Sequence, residues 1–154
     1  MLQLENIERS QITGLAQLSI ARGKYAAMSK TLQNLLATFP YKFEFGRGTC
    51  WLGDKGLNYI YAGRDHIFNH LLINQYQRGQ KLNPHRDNEP ELLGPIASIS
   101  FGDSAIFTYG KKQITLHDGD LLLSSRAFNN STNHGAKPPI NSGTRYNLTF
   151  RTIA

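Results

Sequence analysis

The chain has 154 residues, a net charge of +6 and a hydrophobic fraction of 40%, which predicts a single soluble domain with its own core. Its one cysteine, Cys50, excludes an internal disulfide and a zinc–cysteine cluster, and it favours a reducing, cytoplasmic compartment. No apolar run reaches the ~20 residues of a membrane helix, so we expect no membrane partner. The basic balance favours a polyanionic partner such as nucleic acid, although many basic proteins bind none.

The first forty residues are predicted to be helical. Four apolar residues of "SKTLQNLLATFP" share the spacing of one buried helical stripe, namely Leu32, Leu35, Leu36 and Phe39. Ser29 is a candidate N-cap for this helix, and Pro40 ends it. We therefore expect N-terminal helices that pack on the outside of a sheet.

From Tyr41 onward, short strand-like segments alternate with turn residues. "YKFEF" alternates aromatic and charged residues, which is the period-2 pattern of a half-buried strand. Further runs of this kind follow: "LNYIY", "FNHLLINQY", "PIASISF", "AIFTY", "QITL", "DLLLS" and "RYNLTFR". Many short strands without intervening helices predict a mostly β fold, a barrel or a sandwich, rather than a parallel α/β sheet.

The segment "PHRDNEP" contains the only His-x-Asp of the chain, formed by His85 and Asp87. Residues i and i+2 of an extended segment project to the same side, so both side chains can bind one metal. His117 and His134 are the candidates for a third ligand. Two histidines and one carboxylate form the facial triad of non-haem Fe(II) oxygenases, which leaves three metal positions open. The alternative is a solvated loop with no ligand role.

The C-terminal "RYNLTFR" predicts a strand with one polar and one apolar face. The polar face carries Arg145, Asn147, Thr149 and Arg151, and the apolar face carries Tyr146, Leu148 and Phe150. Two arginines that point into a barrel require a buried dianion, and a small dicarboxylate fits their planar geometry. Asn74 and Tyr76 of "LLINQY" share a face and can complete that pocket. The alternative is an exposed edge strand whose basic residues protect it.

Taken together, "INQY", "HRDNEP", "GPIASISFGDSAIF", "HG" and "RYNLTFR" closely resemble the AlkB family of Fe(II)/2-oxoglutarate dioxygenases, over about residues 59–152. The resemblance implies a double-stranded β-helix (jelly roll) in one domain over residues 1–154. Its parts are helical support over 1–40, a nucleotide-recognition lid over 41–66 and the jelly-roll core over 67–154. The implied activity is oxidative demethylation of N-alkylated bases in nucleic acid, with release of formaldehyde, succinate and CO2. Fe(II) is then the cofactor, with 2-oxoglutarate and O2 as co-substrates.

The same resemblance implies roles for individual residues. The implied iron ligands are His85, Asp87 and His134. The implied 2-oxoglutarate ligands are Arg145, Tyr76 and Asn147 at its far carboxylate, and Arg151 and Asn74 at the carboxylate nearer the metal.

Substrate contacts follow from the resemblance as well. Glu89 stands where the family carries an acidic residue that reads the target base, and its alternative is a solvated glutamate. Tyr59 and Tyr61 resemble a tyrosine pair that contacts the nucleotide backbone beside a flipped base. Trp51 is placed to stack on that base opposite His85. For Trp51, Tyr59 and Tyr61 the alternative is an ordinary core aromatic.

Several points stay open in the sequence. No arginine is assigned to the base, and Lys111 and Lys112 are the nearest basic candidates. The implied partner is alkylated single-stranded DNA or RNA, with the choice between the two open, and we expect a monomer. Two other functions remain: a 2-oxoglutarate oxygenase that acts on a protein or a small molecule, and a nucleic-acid-binding module without catalysis.

Overall fold

The computed structural model describes residues 5–9, 17–52 and 68–154. Within these residues the strands are β1 (Glu5–Arg9), β2 (Gln17–Ala21), β3 (Lys42–Glu44), β4 (Arg47–Leu52), β5 (His70–Tyr76), β6 (Leu82–His85), β7 (Ile96–Gly102), β8 (Ala105–Tyr109), β9 (Lys112–Leu116), β10 (Leu121–Ser124), β11 (His134–Ala136) and β12 (Arg145–Arg151). The helices there are a 3-10 turn (Ala26–Met28), α1 (Ser29–Leu36) and α2 (Arg126–Ser131). No helix in this part of the chain has the length and apolar character needed to cross a bilayer.

Two antiparallel sheets form the fold. The larger sheet has eight strands in the order β1-β2-β10-β7-β12-β5-β4-β3, and the smaller has four in the order β6-β11-β8-β9. An apolar cluster joins residues of both sheets and of α2, namely Leu18, Ile20, Phe107, Tyr109, Leu116, Leu122 and Phe128. The core therefore lies between the sheets, and the predicted mostly β jelly roll is confirmed.

Helix α1 covers the outer face of the larger sheet. Leu36, which is 2% exposed, packs with Ile73, Phe101, Tyr146 and Leu148. The apolar side of β12 thus faces the helix, as the alternation in "RYNLTFR" predicts. Because β12 lies between β5 and β7, the alternative of an exposed edge strand is wrong.

The prediction of an entirely helical N-terminal segment is wrong. Residues 17–21, "QLSIA", form β2, which pairs with β10 in the larger sheet. Leu18 and Ile20 are fully buried and alternate with Gln17 and Ser19, which is the period of a strand. The alternation is short, and the helical spacing that follows it is the stronger pattern, so the sequence predicted a helix here.

Helix α1 also differs in detail from its prediction. Leu35 is 52% exposed, so it does not belong to the buried stripe. Ser29 is the first helical residue, and the N-cap position is Met28. The hydroxyl of Ser29 instead donates to the carboxylate of Asp118 in the turn before β10, which ties the helix to the sheet.

Strands β3 and β4 extend the larger sheet on the side of β5. Thr49 lies opposite Asn74, and Trp51 lies opposite Leu72. The described part of the predicted lid, residues 41–52, is therefore hydrogen-bonded to the core sheet. Since alternate residues of a strand share a face, Arg47, Thr49 and Trp51 lie on one face of β4.

The carboxylate of Asp103 fixes the loop that leads into β12. It accepts hydrogen bonds from the backbone N–H of Asn141 (2.8 Å) and Gly143 (2.9 Å) and from the side-chain amide of Asn141 (2.9 Å). The loop is thereby held against the β7–β8 turn, and Arg145 enters the sheet directly after it.

Candidate metal centre and substrate cleft

Two histidines meet because the strands that carry them are paired. His85 ends β6 and His134 begins β11, and the antiparallel register places them opposite one another. Gly135 permits this close approach, because a Cβ at that position would lie 2.6 Å from the carbonyl oxygen of Leu82. Asp87 follows β6 and is 5% exposed, so it is not a solvated loop residue.

The three predicted metal-binding side chains converge on one point. Nε2 of His134 lies 3.1 Å from Oδ2 of Asp87, and Nε2 of His85 lies 3.4 Å from Oδ1 of the same carboxylate. One ligand atom of each residue lies within 4.8 Å of the others. The spacing allows all three atoms to bind a single ion.

Backbone carbonyls orient both imidazole rings. Nδ1–H of His85 donates to the carbonyl of Asn83 at 2.9 Å, and Nδ1–H of His134 donates to the carbonyl of Thr132 at 3.0 Å. Nε2 is then the atom that faces the carboxylate, and it becomes free to bind a metal once it has lost its proton. Such outer hydrogen bonds are the usual means of presenting a histidine to a metal.

The charges around the carboxylate keep it ionised. Burial alone would raise the pKa of Asp87, but hydrogen bonds from His134 and His85 and the nearby charge of Arg151 hold that pKa well below its usual range. The same contact with Asp87 raises the pKa of His85, although burial acts in the opposite direction. The centre thus offers an anionic oxygen between two nitrogens.

The donor set fits the group that the resemblance implies. Two imidazole nitrogens and one carboxylate oxygen are the facial triad of Fe(II) oxygenases. Among the described residues, Nε of Arg145 and Nε of Arg151 are buried without a hydrogen-bond partner. An unpaired buried donor costs about 1–3 kcal/mol, so two guanidinium groups in this state fit a site for a small dianion.

A narrow cavity of about 70 Å³ extends inward from the metal centre. Four of its polar lining residues belong to the predicted strand faces: Asn74, Asn147, Thr149 and Arg151. Arg145 and Tyr76 lie outside the lining of this cavity. The guanidinium carbon of Arg145 is 5.2 Å from the centre of the Tyr76 ring, and its Nη2 donates to Oγ of Ser100 at 2.9 Å. Burial lowers the pKa of Arg145 and raises that of Tyr76.

A third arginine contacts the site and is missing from the prediction. Nε of Arg47 donates to Oδ1 of Asn74 at 2.6 Å, and Arg47 is 7% exposed. The residue lines both the inner cavity and the cleft outside it. One sequence feature could have identified Arg47. The alternation in "RGTCW" places it on the same strand face as Thr49 and Trp51.

The outer cleft has a volume of about 400 Å³ and opens beside His85. Trp51 and Glu89 line it together with Glu44 and Arg47. Trp51 is 51% exposed, so the alternative of a core aromatic is wrong for this residue. The structure therefore places Trp51 and Glu89 in one cleft with the metal centre.

Of the other predicted residues, those that the structure describes lie away from the metal centre. Tyr59 and Tyr61 lie outside the described residues. His117 lies near Arg22 and Asp120, with its Nδ1 3.7 Å from the Asp120 carboxylate, and does not join the metal group. Lys111 and Lys112 line a separate cleft beside Tyr109, so they do not border the metal centre.

The sequence matches the model of the 2OG-Fe(II) oxygenase superfamily over residues 19–151, and the chain belongs to that superfamily. It is similar to "Alpha-ketoglutarate-dependent dioxygenase AlkB" of Escherichia coli K12, with 40% identity over 97 residues, which cover 52% of this chain and 43% of that protein. The same-named protein of Salmonella typhimurium LT2 is 39% identical over 100 residues, covering 54% and 44%. "DNA oxidative demethylase ALKBH2" of Bos taurus is 33% identical over 143 residues, covering 66% and 51%. These relatives confirm the AlkB resemblance, and the chain spans about half of their length or less.

Solved structures show the same fold. OsALKBH1 matches with a TM-score of 0.66 at 15% identity, covering 97% of this chain and 100% of that chain. The viral collagen prolyl hydroxylase vCPH of Paramecium Bursaria Chlorella virus-1 matches with a TM-score of 0.62 at 11% identity, covering 89% and 96%. At these identities the likeness concerns the fold alone.

Proposed function

We propose that this protein is an Fe(II)/2-oxoglutarate-dependent oxygenase that removes methyl groups from N-alkylated bases of single-stranded nucleic acid. The observation that carries the proposal is the convergence of His85, Asp87 and His134 within 4.8 Å, at the junction of an arginine-lined cavity and an open cleft. A metal, a dicarboxylate and a base each have a place in this arrangement.

In this proposal His85, Asp87 and His134 hold Fe(II), which supplies the oxidising chemistry when O2 and 2-oxoglutarate are bound. Arg151 lies 3.5 Å from Asp87, so it is placed to bind the carboxylate of 2-oxoglutarate nearest the metal. Arg145 does not line the inner cavity, but its buried Nε has no hydrogen-bond partner, so we assign Arg145 to the far carboxylate. The protein contributes orientation and charge, and the products are formaldehyde, succinate and CO2.

Asn74 and Asn147 complete the inner cavity as polar walls for 2-oxoglutarate. Arg47 holds Oδ1 of Asn74 and thus fixes the orientation of its amide. Asn147 is held in turn, because its amide donates to Oγ of Ser98 and its Oδ1 accepts from Thr149. Preorganised polar groups of this kind reduce the cost of binding a small anion.

The outer cleft is the proposed site of the target base. A base has to leave its stack to reach the metal, and the indole of Trp51 offers it a flat surface in exchange. Stacking on an aromatic side chain contributes about 1–3 kcal/mol per base. Glu89 supplies a carboxylate for the edge of a base, which suits lesions that carry positive charge. The net charge of +6 favours approach of a polyanion.

The test measures formaldehyde from single-stranded RNA and DNA that share one sequence and carry one N-methylated base, with unmethylated strands as controls. We expect formaldehyde and succinate in equal amounts from at least one methylated strand, and only slow succinate release from the controls. Glu89→Gln should change the preference among methylated bases, whereas the exposed neighbour Glu91→Gln should not. Succinate release that no methylated strand stimulates would contradict the proposal and favour a protein or small-molecule substrate.

A further inference from the structure

A second cavity, with a volume of about 420 Å³, adjoins the outer cleft. Trp51, Glu89 and Arg151 line both spaces, so the indole of Trp51 borders the two of them. The volume lies in the range of about 300–1,000 Å³ that is usual for small-molecule sites. Among the described residues, those that line the second cavity but not the outer cleft are His70, Glu91, Leu92 and Ile153.

Backbone pairing fixes the wall of the second cavity that carries Glu91. The backbone N–H of Ala154 donates to the carbonyl of Glu91 at 2.9 Å, and Leu92 pairs with Ile153 in an isolated antiparallel bridge. Leu92 is 3% exposed, so the apolar part of this wall is packed. The loop is thereby attached to the continuation of β12, and a ligand would meet a preformed surface.

The opposite wall contains a histidine with an unused nitrogen. His70 pairs with Arg151 in the register of β5 and β12, so both side chains lie on the inner face of the larger sheet. Nδ1–H of His70 donates at 2.9 Å to Oδ1 of Asn69, an oxygen that also accepts from the backbone N–H of Ile153. In the neutral ring Nε2 is then an acceptor. It is buried without a hydrogen-bond partner in the described part of the chain, which is unfavourable unless a donor reaches it.

The polar groups of the second cavity favour a ligand that donates hydrogen bonds. The carboxylates of Glu89 and Glu91 line it together with the single guanidinium of Arg151. A phosphodiester would face two like charges, and it has no hydrogen to donate to a carboxylate. A nucleobase has flat faces for the aliphatic and aromatic walls, and its amino group is a donor that carboxylates accept, as they do from cytosine.

We propose that the second cavity binds the base adjacent to the target base, and that Glu91 favours a base with an amino group at this position. The inference rests on the proposed function, which places the target base in the outer cleft. Trp51 then stands between two bases, one in each space. Stacking on an aromatic ring tolerates any base, so the selectivity comes from Glu91, the carboxylate that lines the second cavity but not the outer cleft.

Single strands that differ only in the base on the 5′ or the 3′ side of one methylated base test the selectivity. On one of the two sides, cytosine or adenine should give a kcat/KM about three- to tenfold higher than uracil or thymine, as one hydrogen bond predicts. Glu91→Gln should bring this ratio close to one, because an amide can pair with either kind of base. The choice among methylated bases should not change in this variant. Equal kcat/KM for all neighbouring bases, or a preference that Glu91→Gln retains, would overturn the proposal.

A second test fills the cavity and needs no turnover. Ile153→Phe adds bulk to the wall, and Leu93→Phe is the matched control, because Leu93 is 54% exposed and lies outside the lining of the second cavity. Trp51 is the only tryptophan of the chain, so its fluorescence reports the binding of cytidine. Ile153→Phe should raise the Kd for cytidine at least about tenfold, whereas Leu93→Phe should leave it unchanged. Far-UV circular dichroism should be the same for both variants.

The cytidine titration separates the two proposals. If the wild-type protein demethylates no oligonucleotide, the proposed function fails, and cytidine binding still decides whether the second cavity accepts a nucleoside. No saturable response of the wild type to cytidine, or the same Kd in the wild type and Ile153→Phe, would overturn the assignment of this cavity.

Discussion

Replacement of Gly135 by alanine should separate the two histidines of the metal centre. An added Cβ would lie 2.6 Å from the carbonyl oxygen of Leu82 and 3.1 Å from the backbone nitrogen of Pro84. Both atoms belong to β6, which carries His85. A contact below 3.0 Å does not persist, so β6 has to move away from β11 by roughly half an ångström, and His85 moves with it.

Two effects of Gly135→Ala can be given a size. Insertion of a methyl group into a packed interface costs about 1–3 kcal/mol of unfolding free energy. Ligands have to stay within about 0.5 Å of their productive geometry, and disturbed ligand orientation weakens metal binding about 10- to 100-fold. We therefore expect a higher Fe(II) concentration for half-maximal succinate release, by about that factor, in a protein that still folds.

Gly94→Ala is the control for this variant. Its added Cβ would lie 3.7 Å from Oγ1 of Thr152, which is an ordinary contact, so stability should change by less than about 0.5 kcal/mol. Urea unfolding and Fe(II) titration of both variants check these expectations. A Gly135→Ala protein with the Fe(II) requirement of the wild type would refute the account of how β6 and β11 place the ligands.

Three further comparisons test a buried charge, the packing of α1 and the loop before β12. Arg145→Met removes a buried guanidinium with an unpaired Nε. Without co-substrate, the free energy of urea unfolding should therefore stay unchanged or rise by about 1–2 kcal/mol. KM for 2-oxoglutarate should rise about 100-fold or more. Leu36→Ala should cost about 2–4 kcal/mol of unfolding free energy, whereas Leu35→Ala, at a 52% exposed position, should cost under about 0.5 kcal/mol. Burial alone would raise the pKa of Asp103, but hydrogen bonds from the loop before β12 lower it. The stabilisation by this carboxylate is present above its ordinary pKa of 3.8 and is lost as pH falls through the lower pKa of the folded state. The wild type should therefore have a larger free energy of urea unfolding than Asp103→Asn at neutral pH, and this difference should disappear in acid.

The parts of the fold that follow a clear local period could be predicted from the sequence. The alternation in "RYNLTFR" gives both the inward polar face of β12 and its apolar contact with α1. By contrast, the alternation in residues 17–21 is only five residues long, and its assignment to a strand depends on pairing with β10, about a hundred residues away in the chain. A local pattern contains no information on that partner.

The metal centre shows the same limit. His85 and Asp87 are adjacent enough for spacing to suggest a shared ion, but spacing alone leaves His117 and His134 as equal candidates. The register between β6 and β11 brings His134, and not His117, next to His85 and Asp87. Arg47 escapes prediction for a similar reason, because its contact with Asn74 spans 27 residues and depends on the pairing of β4 with β5.

In the proposed function, three side chains from β6, β11 and the segment between β6 and β7 hold one Fe(II) beside an arginine-lined cavity. Anaerobic equilibrium dialysis against Fe(II) tests it most directly, with the wild-type protein compared with Asp87→Ala and His134→Ala. We expect one tightly bound Fe(II) per wild-type chain and a loss of at least about tenfold in affinity for each folded variant. Undiminished Fe(II) binding by either variant would contradict it.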